Sequence, residues 1–224
     1  MSTEVNVSSE VQEKGKPSIF GFITSPVVQF EKMKSSPVIW GPLLLILILT
    51  AATTILAVYT PQGQEALQQQ KEAGIEVNST FSMIGGVIAI VATLAFTSLI
   101  LFLIAKLGTG KTTYRQMFSL NLFVTFITAI GQLINTGVAA LAHTSANVTS
   151  LNGMVGAKGA MGGVFTSIEI FSIWGLILTA VGLQKVANVS KAVSIITVII
   201  LFILGAAISG AGGAASEALK GAGL

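Results

Sequence analysis

Five long blocks of apolar residues, parted by polar stretches, set the pattern of this chain. They cover residues 38–59, 81–105, 118–142, 165–183 and 192–209. The first, VIWGPLLLILILTAATTILAVY, holds no charge. About 22 residues at 1.5 Å each make a helix of roughly 33 Å, enough for a hydrocarbon core of about 30 Å. The pattern therefore predicts an all-α membrane protein, a five-transmembrane-helix bundle. Ahead of the first block, SIFGFITSPVVQFEKMKSSP is apolar in places but interrupted by Glu31, Lys32 and Lys34. Residues 18–37 are expected to be an interfacial amphipathic segment, with a short helix in it, lying along the membrane surface. Ser25 and Pro26 open that helix and Pro37 ends it. Pro26, Phe30 and Pro37 are its expected interfacial anchors.

The polar stretches read differently from one another. Residues 1–17 mix Glu and Lys with Ser and Val and have nothing to bury, which predicts a disordered cytoplasmic tail. A short helix is expected from Gln62 to Ala73, ended by Gly74. The KLGTGKTTYRQM segment is basic, and Ala105, Gly110, Lys111 and Thr112 meet a relaxed phosphate-loop pattern. A working phosphate loop follows a strand and cooperates with an acidic magnesium ligand; here the segment follows a lipid-type helix, so a solvated basic loop is expected. From His143 to Gly163, glycines at 153, 156, 159 and 162 predict a flexible loop. Residues 210–224 form a Gly/Ala-rich outside tail.

Two features inside the spans invite a functional reading. In the third, Asn121, Thr125, Thr128, Gln132 and Asn135 recur every three or four positions and form one polar stripe on a helix. Lipid does not accept that face. It serves either as helix–helix glue or as a groove for a polar partner. Glu169, in the fourth span, is the one ionisable side chain inside any block. A carboxylate near a span end can anchor or pack; it can also handle protons or ions. Small residues also fall on single faces, Ser82, Gly85, Ala89 and Ala92 in the second span and Ser172, Gly175, Thr179 and Gly182 in the fourth. Such faces let another helix approach closely.

Composition narrows the chemistry. Charged residues make up 9% of the chain, with mean hydropathy +0.83, far from soluble averages of about 25% charged. Cys is absent, all nine acidic residues are Glu, and His143 is the single His. No Ser-His-Asp triad can be assembled from these residues, and neither an enzyme nor a bound metal or cofactor is expected. The net charge of +3 is spread through short loops and offers no face that tracks phosphates, so no nucleic-acid partner is expected. Lys14, Lys16, Lys32, Lys34, Lys106, Lys111, Arg115, Lys185 and Lys191 fall on one side of the five blocks, against Lys71, Lys158 and Lys220 on the other. The positive-inside rule then puts the N-terminus in the cytoplasm and the C-terminus outside.

The arrangement resembles the Yip (Ypt-interacting protein) domain family. The resemblance is carried by the PxxxF segment from Pro26 to Phe30, by Pro37 and Pro42, and by Glu169 with Phe171. Trp174, Gly182 and Lys191 complete it. It implies a five-span protein of the cell membrane with a cytoplasmic N-terminus and no catalysis of its own. Eukaryotic relatives work in vesicle traffic with small GTPases; this chain departs from them in its short, low-complexity head, so a GTPase partner is not expected. Bacterial relatives imply a non-enzymatic adaptor, accessory to an ABC-type efflux complex that protects against a toxic peptide. Its expected partners are the exporter permease, further copies of itself and the lipid bilayer. The alternative is a small transporter or channel using the third-span stripe and Glu169.

Overall fold

The computed structural model describes residues 15–74, 79–108, 111–144 and 147–221. Nearly all of the expected tail, 1–17, and Gly110 of the phosphate-loop pattern lie outside them. Within the described residues the chain is helical: α1 (Ile19–Thr24), α2 (Pro26–Ser35), α3 (Trp40–Ala57), α4 (Pro61–Glu72), α5 (Ser79–Ala105), α6 (Tyr114–Ala142), α7 (Leu151–Val155), α8 (Gly159–Ser167), α9 (Ile170–Ala187) and α10 (Lys191–Gly221). An isolated bridge between Ser150 and Glu169 is the one β-type pairing among them. Five helices, α3, α5, α6, α9 and α10, are long and apolar enough to cross a membrane.

The axis of the bundle is α6, the most buried of the five, with α3, α5 and α9 packed around it and α10 on α9. It begins at a capping box, where Thr113 and Gln116 bond reciprocally, and ends at His143 in the left-handed region. Those contacts answer backbone groups that a helix end leaves unpaired. Leu120, Leu122, Phe123 and Ile127 are fully buried along it.

At the amino end of α6 the α1–α2 hairpin docks by its inner face. Phe22, Phe30 and Met33 have no exposure. Phe22 stands edge-on to Phe30 (5.1 Å between centroids) and to Phe123 (5.3 Å). The Ser119 hydroxyl donates to the Val38 carbonyl (2.8 Å) and accepts from the Val38 N–H (3.1 Å), and Gln116 Nε2 donates to the Lys34 carbonyl (2.6 Å). Phe30 thus fastens the hairpin to the bundle, while Phe20, Ile23, Val27 and Val28 face outward. Pro26 sits half-buried at the first position of α2 and Pro37 half-buried in the linker to α3.

Three expectations change. The fourth block is not one helix from residue 165, because the chain breaks at Ile168 and Glu169, whose own side chain caps α9. Glu169 is therefore a helix end rather than a residue inside a span. The loop expected from His143 to Gly163 holds α7 and most of α8. The Gly/Ala-rich segment after residue 209 continues α10 to Gly221. One cause serves the last two. A Cβ at Gly163 would collide with the backbone at Ser209, and one at Gly213 with the backbone at Gly159. Glycine lets α8 and α10 cross in backbone contact, as small residues do between membrane helices.

Candidate functional site

The fold divides the polar stripe of α6 into two kinds of position. Its ends tie α6 to other parts of the fold, Asn121 to a helix and Asn135 to the connection ahead of α7. Asn121 Nδ2 donates to the Leu94 carbonyl (3.1 Å) and the Ser98 hydroxyl (3.0 Å) of α5, with Asn121 and Ser98 buried. At the far end Asn135 brackets Thr149: its Nδ2 donates to Thr149 Oγ1 (2.6 Å) and its Oδ1 accepts from the Thr149 N–H (3.0 Å).

Thr149 carries the connection to the helix break. Its hydroxyl donates to Glu169 Oε1. Glu169 also accepts from the Phe171 N–H (3.1 Å), the Ser172 N–H (2.7 Å) and the Ser172 hydroxyl (2.9 Å). Four donors fill the lone-pair sites of an ionised carboxylate. The N-terminal end of α9 adds a favourable dipole. Glu169 is 6% exposed and forms no salt bridge among the described residues. Backbone bonds from Leu151 N–H to the Ile168 carbonyl (2.9 Å) and from Ile170 N–H to the Thr149 carbonyl (3.3 Å) pin the start of α7 to this joint.

Thr125, Thr128 and Gln132, the middle of the stripe, line a cavity of about 690 Å³. Thr50 and Thr53 of α3 face them, Glu169, Ser172 and Thr179 border it at α9, and Gly205 and Ser209 border it at α10. A smaller space of about 230 Å³, lined by Thr60, Asn135 and Thr136, shares Gln132 and Asn147 with it. A Cβ at Gly175 would lie 2.9 Å from the Thr128 methyl, so that glycine sets how close α9 comes to α6. Trp174 packs half-buried against the core and lies outside the cavity lining. Sequence reading missed Thr50, Thr53 and Thr149. The two α3 threonines were visible as polar interruptions of a Leu/Ile run; Thr149 carried no signal, because its partners are 14 and 20 residues away. Among the described residues no three His, Asp or Glu side chains gather as a metal site would require.

The family model of the Yip1 domain matches residues 20–212. The chain belongs to the Yip1 domain family. It is similar to a Bacillus subtilis (strain 168) protein called "Membrane protein YknW", 38% identical over 213 residues, covering 90% of this chain and 92% of the relative. No solved structure matches it. The Yip1 match takes in the α1–α2 hairpin, the cavity and the helix break. Within it, Glu169 and Phe171 divide their work: the carboxylate caps α9, and the Phe171 ring lies against Gly131, where a Cβ would collide with it.

Proposed function

We propose that this Yip1-domain protein is a non-enzymatic adaptor of the cell membrane, accessory to an ABC-type efflux complex and to resistance against a toxic peptide. Its N-terminus is cytoplasmic and its C-terminus outside. The observation that carries the reading is an unpartnered helix face. In α5, Gly85 and Gly86 have open space where a Cβ would stand, and Ala89 and Ala92 are exposed beside them. The side chain of Ser82, expected on the same face, lies outside the described residues. A membrane helix of another protein can approach such a face to backbone distance, whereas the glycines of α6, α8 and α9 already meet neighbours within the chain. The family resemblance supports an exporter permease as the partner, and the reading assigns the chain no catalysis of its own.

In-cell crosslinking from α5, followed by purification in mild detergent, is expected to recover an ABC-type permease joined to this chain. Leu at Gly85 and Ala89 together is expected to abolish the product. Recovery of the monomer alone overturns the reading. The cavity favours transport as a second reading. Reconstitution in liposomes separates the two, since an adaptor alone moves no solute.

A further inference from the structure

We propose that the cavity between α3, α6, α9 and α10 binds an organic cation, a primary ammonium carried on an apolar body. The proposal goes beyond the adaptor reading and does not depend on it, because a scaffold needs no interior space. At about 690 Å³ the cavity falls in the range of small-molecule sites, about 300–1,000 Å³.

The lining is selective in hydrogen-bonding character. Thr53 donates to the Leu49 carbonyl (2.9 Å), Thr128 to Thr125 (3.0 Å), Thr166 to Gly162 (2.8 Å) and Thr179 to Gly175 (2.8 Å). A hydroxyl has one donor and two acceptor lone pairs. With the donor engaged on its own helix, each of these presents acceptors to the cavity. Gln132 uses one of its two amide hydrogens within the protein, on Thr136 Oγ1 (3.4 Å), and keeps its carbonyl as an acceptor.

Charge points the same way. Glu169 is the single charged side chain of the lining, which holds no Lys, Arg or His. The end of α9 contributes only about half a unit of positive charge, so the cavity keeps a net negative potential. The four donors to Glu169 fill its hydrogen-bonding sites but leave its charge without a counter-ion. Buried charges are normally paired, and here the opposite charge arrives with the occupant, which bonds to the threonine acceptors rather than to the carboxylate. An anion would face the Glu169 carboxylate, and the donors that the lining does hold, among them the amides of Gln132 and Asn147, are neutral; a neutral hydrocarbon would leave the threonine acceptors unanswered. An ammonium has three donors and no acceptor. Ile46, Val124, Leu201 and Phe202 supply apolar wall for the rest of the molecule. The main packing of α3 is on α6 and that of α10 on α8 and α9, and the seam between α3 and α10 is the proposed way in for an amphiphile.

The full chain in phosphatidylcholine nanodiscs is titrated with a dansyl alkylamine and with its N-acetylated, uncharged twin. Saturable emission is expected for the amine, about tenfold tighter than for the twin. Glu169→Gln keeps an oxygen for the helix cap and removes the charge. It is expected to lose about that same factor for the amine and nothing for the twin. Gly205→Leu, whose Cβ meets open space, fills the cavity and is expected to abolish binding of both. In discs containing phosphatidylethanolamine, displacement of the probe identifies a lipid headgroup as the source of the ammonium, and retention identifies a free amphiphile. The proposal is overturned if the amine shows no saturable component above empty discs, if the twin binds equally, or if Gly205→Leu binds like the parent. Should Glu169→Gln fail to fold, the twin and Gly205→Leu still decide.

Discussion

Thr149 is the residue on which the far end of the bundle closes, since its hydroxyl accepts from Asn135 and donates to Glu169 at once. Thr149→Val removes both bonds and leaves an amide and a carboxylate short of a partner. A cost of about 1–3 kcal/mol is expected, read as a lowered unfolding temperature in detergent, with Thr149→Ser restoring the parent value. Gly131→Ala is expected to destabilise by about 1–3 kcal/mol because its methyl meets the Phe171 ring, as overpacking does elsewhere. Gly205→Ala enters open space and is expected to leave the same unfolding curve unchanged. Periodicity showed that Asn121 through Asn135 share a face. It was silent on what stands opposite each of them, and that is what separates the gluing Asn121 and Asn135 from the cavity-lining Thr125, Thr128 and Gln132.

At the scale of elements, the spans were legible because lipid imposes length and hydropathy on them. Helix ends were less so. Glu169 looks from sequence like a charge inside a span, and only the Phe171 and Ser172 N–H groups bonded to it reveal a cap. Glycine misled in the α8 region for a related reason. The same absence of Cβ that loosens a loop admits a backbone neighbour, and the neighbouring positions in α10, Ser209 and Gly213, are more than forty residues away from Gly163 and Gly159 in sequence. The α1–α2 hairpin is the element whose attachment is most exposed to test. Phe30→Ala empties a fully buried site, a change that costs about 3–5 kcal/mol in cores. Amide exchange is expected to accelerate across Ile19–Ser35 and to stay slow in α6; uniform protection would show the hairpin held by its backbone bonds alone.

For the molecule as a whole, five crossings put the α1–α2 hairpin and the end of α10 at opposite ends of the bundle. A reporter fused at Met1 and another after Leu224 are therefore expected on opposite faces of the membrane, with the first in the cytoplasm. Finding both on one face would contradict five crossings. Length adds a consequence. The 31 residues of α10 reach roughly 46 Å at 1.5 Å per residue, well beyond a hydrocarbon thickness of about 30 Å. Unless the helix leans steeply, its last turns stand clear of the lipid, braced by α8 like a mast with a stay. The same rod forms one wall of the interior space lower down. Whatever grips the protruding mast, another protein's domain or an antibody fragment alike, holds a lever on that wall from beyond the lipid.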